Sequence, residues 1–171
     1  PIGGVRQRSF NLLKEVASKY CVDLVAFSQK AHQKNDEEIQ QSINSLLNIC
    51  NDVYCIRIPI DSRYILGKRF LLLKSLFTGK CFSTEWVKSS RFTDTLIQLF
   101  NSNDYDAVYF DTISLAPYLH IFPSVPKLLN HHNIESQLLF RRVRQETNLL
   151  SKCFCLQEAI KLRFLEKKYC H

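Results

Sequence analysis

The chain has no apolar run of about eighteen residues, which excludes a helix crossing a bilayer. It has no Cys-x-x-Cys pair, so neither a zinc ribbon nor a thioredoxin-like motif is present. Glycine is scarce, four residues in 171, and none forms the Gly-x-Gly-x-x-Gly dinucleotide fingerprint. No RNA-recognition, helix-turn-helix or zinc-finger pattern occurs, so nucleic acid is a poor explanation for the basic surplus. There is no internal repeat, no low-complexity segment, no secretory leader pattern and no candidate nucleophilic triad. The seven cysteines (Cys21, Cys50, Cys55, Cys81, Cys153, Cys155, Cys170) are odd in number and irregularly spaced, and they read as reduced thiols.

What is present fits one domain, since 171 residues suffice to bury a real core. Lysine and arginine number 23 against 16 acidic residues, a formal charge of +7 spread along the chain. That balance suits an anionic partner, and equally a solvated basic surface. Phe10, Leu13, Val16, Ala17 and Tyr20 recur at helical spacing. Val22 to Phe27 reads as a strand buried on both faces. Asn35 with Glu38 resembles a capping box, opening a helix whose inner face is Ile39, Ile43, Leu46, Leu47 and Cys50. Val53 to Ile60 reads as a strand ending near Pro59. Tyr64 to Phe77 reads as a basic amphipathic helix, with residues 63–77 able to lie on an anionic membrane or simply to keep a wet basic side. Trp86 to Phe100 reads as one helix, with Phe92, Leu96, Leu99 and Phe100 inward. Ala107 to Phe110 is a short strand. Pro117 and Pro123 break up a short helix and loop, before a buried strand at Lys127 to Asn130 and two helices over 135–150 and 155–170.

Strands alternating with helices predict an α/β class, a Rossmann-like parallel sheet flanked by helices. The chain reads as though its first strand lay upstream and its last helix were cut, so a longer protein is expected. Ligands of such sheets bind at the carboxyl ends of the strands. Three stretches fall there. Gly3-Gly4 precedes a helix start and lets a ligand approach the backbone, with Arg6 suited to phosphate; a plain loop is the alternative. Asp111 follows a strand and can accept from sugar hydroxyls or cap its own turn. His131, His132, Asn133 and Glu135 form the richest cluster. A catalytic metal needs about three protein ligands, and no spacing here completes such a set, so no metal is expected. Hydrogen bonding to a polyhydroxyl or phosphate fits better, against the alternative that one imidazole caps the next helix and the other packs.

The order Pro1-x-Gly3-Gly4-x-Arg6, Tyr105-Asp106-Ala107-Val108 with Asp111, Val125-Pro126, and His132-Asn133-Ile134-Glu135-Ser136 resembles the N-terminal half of a GT-B glycosyltransferase of family 4. Leu162 to Glu166 followed by Tyr169-Cys170 is similar to the helix that ends this half. The resemblance implies that residues 1–171 are a single acceptor-side domain of a retaining enzyme, with the nucleotide-sugar-binding domain elsewhere. It implies a nucleotide-sugar donor, a polysaccharide or lipid-linked acceptor and no further cofactor. By position, Gly3 and Gly4 would lie near the donor diphosphate and transferred sugar, and His132 would hydrogen-bond the sugar or steady charge near the reacting centre. Glu135 would be an orienter or a structural cap, and Asn133 counts among the substrate-binding residues. His131 has no counterpart. A cytoplasmic protein able to sit at the inner membrane face is the expected setting, inactive as this segment alone. The competing expectation is a non-catalytic Rossmann-like module that binds a phosphorylated ligand or a partner protein.

Overall fold

Asn35, Ser89 and Thr112 each present a side-chain oxygen to a backbone N–H at a helix start, and these caps set much of the chain's punctuation. The computed structural model describes residues 4–29, 35–59, 72–131 and 133–169. The expectations for Gly3, for His132 and for most of the 63–77 helix fall outside them, although residues 72–77 are described and helical.

Helix α1 (Gly4–Ala17) leads to strand β1 (Asp23–Ser28), helix α2 (Asp36–Leu47) and strand β2 (Asp52–Arg57). β1 and β2 are parallel, registered from Asp23 opposite Asp52 to Ser28 opposite Arg57, with α2 as the crossover. Asn35 accepts from the Glu38 N–H at 2.9 Å, as the capping pattern predicts. α3 (Phe82–Trp86) and α4 (Ser90–Ser102) come next, then strand β3 (Val108–Phe110). A 3-10 helix (Ile113–Ile121) crosses over to strand β4 (Lys127–Leu129), again parallel, and helices α5 (Glu135–Gln145) and α6 (Leu149–Tyr169) complete the described chain.

The class is therefore mixed α/β with parallel pairing, but the strands form two separate pairs, β1-β2 and β3-β4. Both feed one core. Ile56 from the first pair is buried with Phe110 from the second, together with Phe92, Leu96, Tyr118, Ile121, Phe122 and Val125. Val25 and Phe27 of β1 and Leu129 of β4 pack against that cluster. The Phe92 ring stacks on Phe27 at 4.2 Å and meets Tyr118 at 4.9 Å, so α4 and the 3-10 helix join at the first sheet.

Several expectations need correction. Among the described residues each sheet has two strands, too few to be covered fully on both faces, and Leu24 to Phe27 are half-buried rather than enclosed while Leu128 is exposed. On α1 the inward residues are Phe10, Leu13 and Ala17, whereas Val16 and Tyr20 face solvent. α2 buries no residue fully; Cys50, just past its end, does. The second strand ends at Arg57, short of Pro59. The single helix expected over Trp86 to Phe100 is two, because the Tyr118 hydroxyl holds the break. It accepts from the Ser89 N–H at 3.0 Å and donates to the Val87 carbonyl at 2.8 Å.

Candidate functional site

Tyr109 and Asp111 are two apart at the end of β3 and so project to the same face. Their side chains meet there, the Tyr109 hydroxyl donating to Asp111 Oδ1 at 3.1 Å. Asn130 comes directly after β4, whose register is extended by its backbone N–H donating to the Phe110 carbonyl at 2.7 Å. That register places the Asn130 amide on Asp111 Oδ1 at 3.2 Å. From α1, the Ser9 hydroxyl donates to Asp111 Oδ2 at 2.6 Å. One carboxylate thus gathers donors from three elements at the carboxyl edge of the second sheet. Burial and the Asp111 charge push the Tyr109 phenol up to about 12, with Arg8 acting in the opposite sense.

Thr112 links this group to the next helix, its hydroxyl donating to Glu135 Oε1 at 3.4 Å. Glu135 sits in the first turn of α5, where a carboxylate suits the positive end of the helix dipole. The side chain of Thr112 also borders a cleft of 350 Å³ lined by Gln29, Phe82, Ser83, Trp86, Val87 and Ser114. The carboxyl ends of β1 and β3 therefore meet at this cleft, because Gln29 is next after one strand and Thr112 lies just beyond the other. Its size lies in the range of small-ligand sites, and its walls combine aromatic faces with hydroxyls and an amide.

Gly4 opens α1, and a Cβ placed there would meet nothing within 4 Å. Arg6 and Arg8 are exposed on the same first turns. Asn133 is exposed just before α5. Asp111, at a strand end, and Glu135, at a helix start, are linked through Thr112; Gly3 and His132 lie outside the described residues. His131 turns inward, its Nε2 3.5 Å from Glu166 Oε1 on α6. That is the packing alternative for one of the two imidazoles. Among the described residues, no three His, Cys, Asp or Glu side chains stand together as a metal-holding group.

Sequence reasoning missed Ser9, Tyr109, Asn130 and Trp86. The Tyr109-x-Asp111 spacing on a strand was a usable signal for one of them. Ser9 lies 102 residues from Asp111, and nothing local announces that contact. Comparison of the chain with models of known protein families, with curated proteins and with solved structures gives no match.

Proposed function

We propose that the carboxyl edge around Asp111 binds a sugar, and that the chain is the acceptor-side domain of a retaining glycosyltransferase of GT-B type. The observation that carries this reading is the Asp111 carboxylate held by Ser9, Tyr109 and Asn130, next in the chain to Thr112, which borders a cleft also lined by Trp86. Carboxylates and amides recognise vicinal hydroxyls through paired hydrogen bonds, and an aromatic face accepts the apolar face of a pyranose. Glu135, oriented by Thr112, would take further hydroxyls. In this reading His132 acts beside the anomeric carbon, and Gly3, Gly4 and Arg6 face the donor diphosphate, whose leaving charge a helix start and guanidinium would stabilise. The Rossmann-like layout belongs to the same proposal. One further parallel strand between β1 and β3, ahead of α1, would join the two pairs into a single five-stranded sheet.

A second reading has its own support. The open start of α1 with Arg6 and Arg8 exposed suits a phosphorylated ligand without any transfer chemistry. Nuclear magnetic resonance titration of residues 1–171 separates the two. With oligosaccharides, the expected result is shifts at Asp111, Asn130 and Trp86, weak binding of about millimolar Kd, and loss of those shifts in Asp111→Ala. No sugar transfer is expected from this segment alone. Shifts confined to Gly4, Arg6 and Arg8 on adding inorganic phosphate, with none from any oligosaccharide, would replace the sugar reading with the phosphate one.

A further inference from the structure

Helix α6 is built inside out. Its two carboxylates, Glu158 and Glu166, are buried, whereas Leu149, Leu150, Cys153, Leu156, Ile160 and Phe164 are exposed. The exposure is large: Leu149 72%, Leu150 83% and Phe164 70%. Leu149, Cys153, Leu156, Ile160 and Phe164 succeed one another at steps of four, three, four and four, so they form one stripe along the helix. Cys155, Glu158, Ala159, Leu162 and Glu166 occupy the opposite, buried side. At 1.5 Å per residue the stripe runs about 22 Å.

Charge on this face has a single sign. Every exposed charged residue of α6 is a cation, namely Lys152, Arg163, Lys167 and Lys168. Lys152 and Arg163 border one side of the stripe and Lys168 the other, by helical position. The helical turn at 72–77 lies alongside. Gln157 Nε2 donates to the Leu76 carbonyl at 2.7 Å, and Lys161 Nζ donates to the Ser75 carbonyl. This turn exposes two further apolar side chains next to α6, Leu73 and Phe77, the latter at 87%.

We propose that this surface docks on an anionic lipid bilayer. The leucines, Ile160 and the two phenylalanines enter the interface, while the lysine and arginine stems extend toward headgroup phosphates. A second copy of this helix would bring only more positive charge to flanks that carry no acidic residue. A bilayer containing anionic lipid offers the complementary field over the whole length, and each cation near it strengthens the attraction. The sequence pattern suggests a membrane face at residues 63–77; of that segment the described residues 72–77 lie against α6, so this proposal concerns α6 and that turn. This inference does not depend on what binds at Asp111.

The test is co-sedimentation of the whole 171-residue chain with vesicles of phosphatidylcholine, with and without phosphatidylglycerol. Expected is binding to the anionic vesicles that falls several-fold as salt rises, and little binding to the neutral ones. Ile160→Glu with Phe164→Glu should reduce the bound fraction about tenfold or more with unchanged far-UV ellipticity, since both sites are solvent-facing. Lys152→Gln with Arg163→Gln should weaken binding to anionic vesicles while leaving the apolar stripe whole. Equal binding to neutral vesicles overturns the proposal. So does a failure to bind either vesicle accompanied by a dimer in analytical ultracentrifugation that Ile160→Glu with Phe164→Glu dissociates, because the stripe would then be covered by a second copy.

Discussion

Asp111 and Tyr109 show how one residue pair ties local chemistry to stability. Burial and the neighbouring carboxylate hold the Tyr109 phenol neutral to about 12, against about 10 for a tyrosine in an unfolded chain. The neutral phenol is the form the fold prefers. Its contribution is therefore complete below the unfolded value and disappears as pH rises through about 12. Tyr109→Phe should flatten the fall of stability with pH over that alkaline window. Denaturant unfolding at a series of pH values checks it, and equal slopes for the two proteins would remove Tyr109 from the account. Tyr105 adds to the same alkaline sensitivity, because burial and its 2.7 Å bond to Asp23 push its phenol higher still. Cys81 is governed by burial too, its thiol pushed up to about 12 with Glu158 adding to the effect, which makes it a poor nucleophile.

At the scale of elements, α6 acts as a strut that completes two other helices. Neither Cys81, before α3, nor Ile134, before α5, offers a side-chain cap. The missing acceptors come from α6 instead. Glu158 Oε2 accepts from the Phe82 N–H at 2.6 Å, and Glu166 accepts from the Ser136 N–H at 3.0 Å and from the Ser136 hydroxyl at 2.5 Å. Lys161 balances Glu158 at 3.0 Å. Removing the Glu158 carboxylate leaves a buried cation and an orphaned helix-start N–H, so Glu158→Ala should destabilise the fold by about 3–5 kcal/mol. Thermal unfolding monitored by ellipticity measures it; a loss below about 1 kcal/mol, the scale of a surface pair, would mean that Lys161 and Phe82 find other partners. This arrangement also shows what a sequence can and cannot disclose. The Asn35 and Ser89 caps act over three residues and are written beside the helices they start. The break between α3 and α4 depends on Tyr118, 29 residues beyond Ser89, and the Ser9 contact to Asp111 spans 102. Local periodicity found Phe92, Leu96 and Leu99 because a helix repeats its inner face; it gave β1 and β4 too much burial because the number of strands in a sheet is a property of the whole chain. At the candidate site, Asp111 and Glu135 were legible as carboxylates at a strand end and a helix start, while their partners were not.

At the scale of the whole molecule, the two sheets are joined through aromatic packing. They share no strand pairing among the described residues, yet the Phe92 ring of α4 stacks on Phe27 of β1 and meets Tyr118 of the 3-10 helix at a tilt, and Phe110 of β3 belongs to the same cluster. With no backbone ladder described across that gap, side-chain packing, with these rings at its centre, carries the cooperativity between the sheets. Tyr105 supplements it near the opposite strand ends through its bond to Asp23. Phe92 is 3% exposed, and truncating it removes the central ring of the stack. Phe92→Ala should cost about 3–5 kcal/mol, the usual range for a buried aromatic. The more telling readout is cooperativity. Trp86 is the chain's one tryptophan and its fluorescence reports on α3 and the cleft, whereas far-UV ellipticity averages over every helix. With the joint intact the two signals should trace one transition. In Phe92→Ala both midpoints should move, and any separation between the fluorescence and ellipticity curves should appear only in this variant. A parent chain that already unfolds in two steps would show that the two halves are held together by something weaker than this stack.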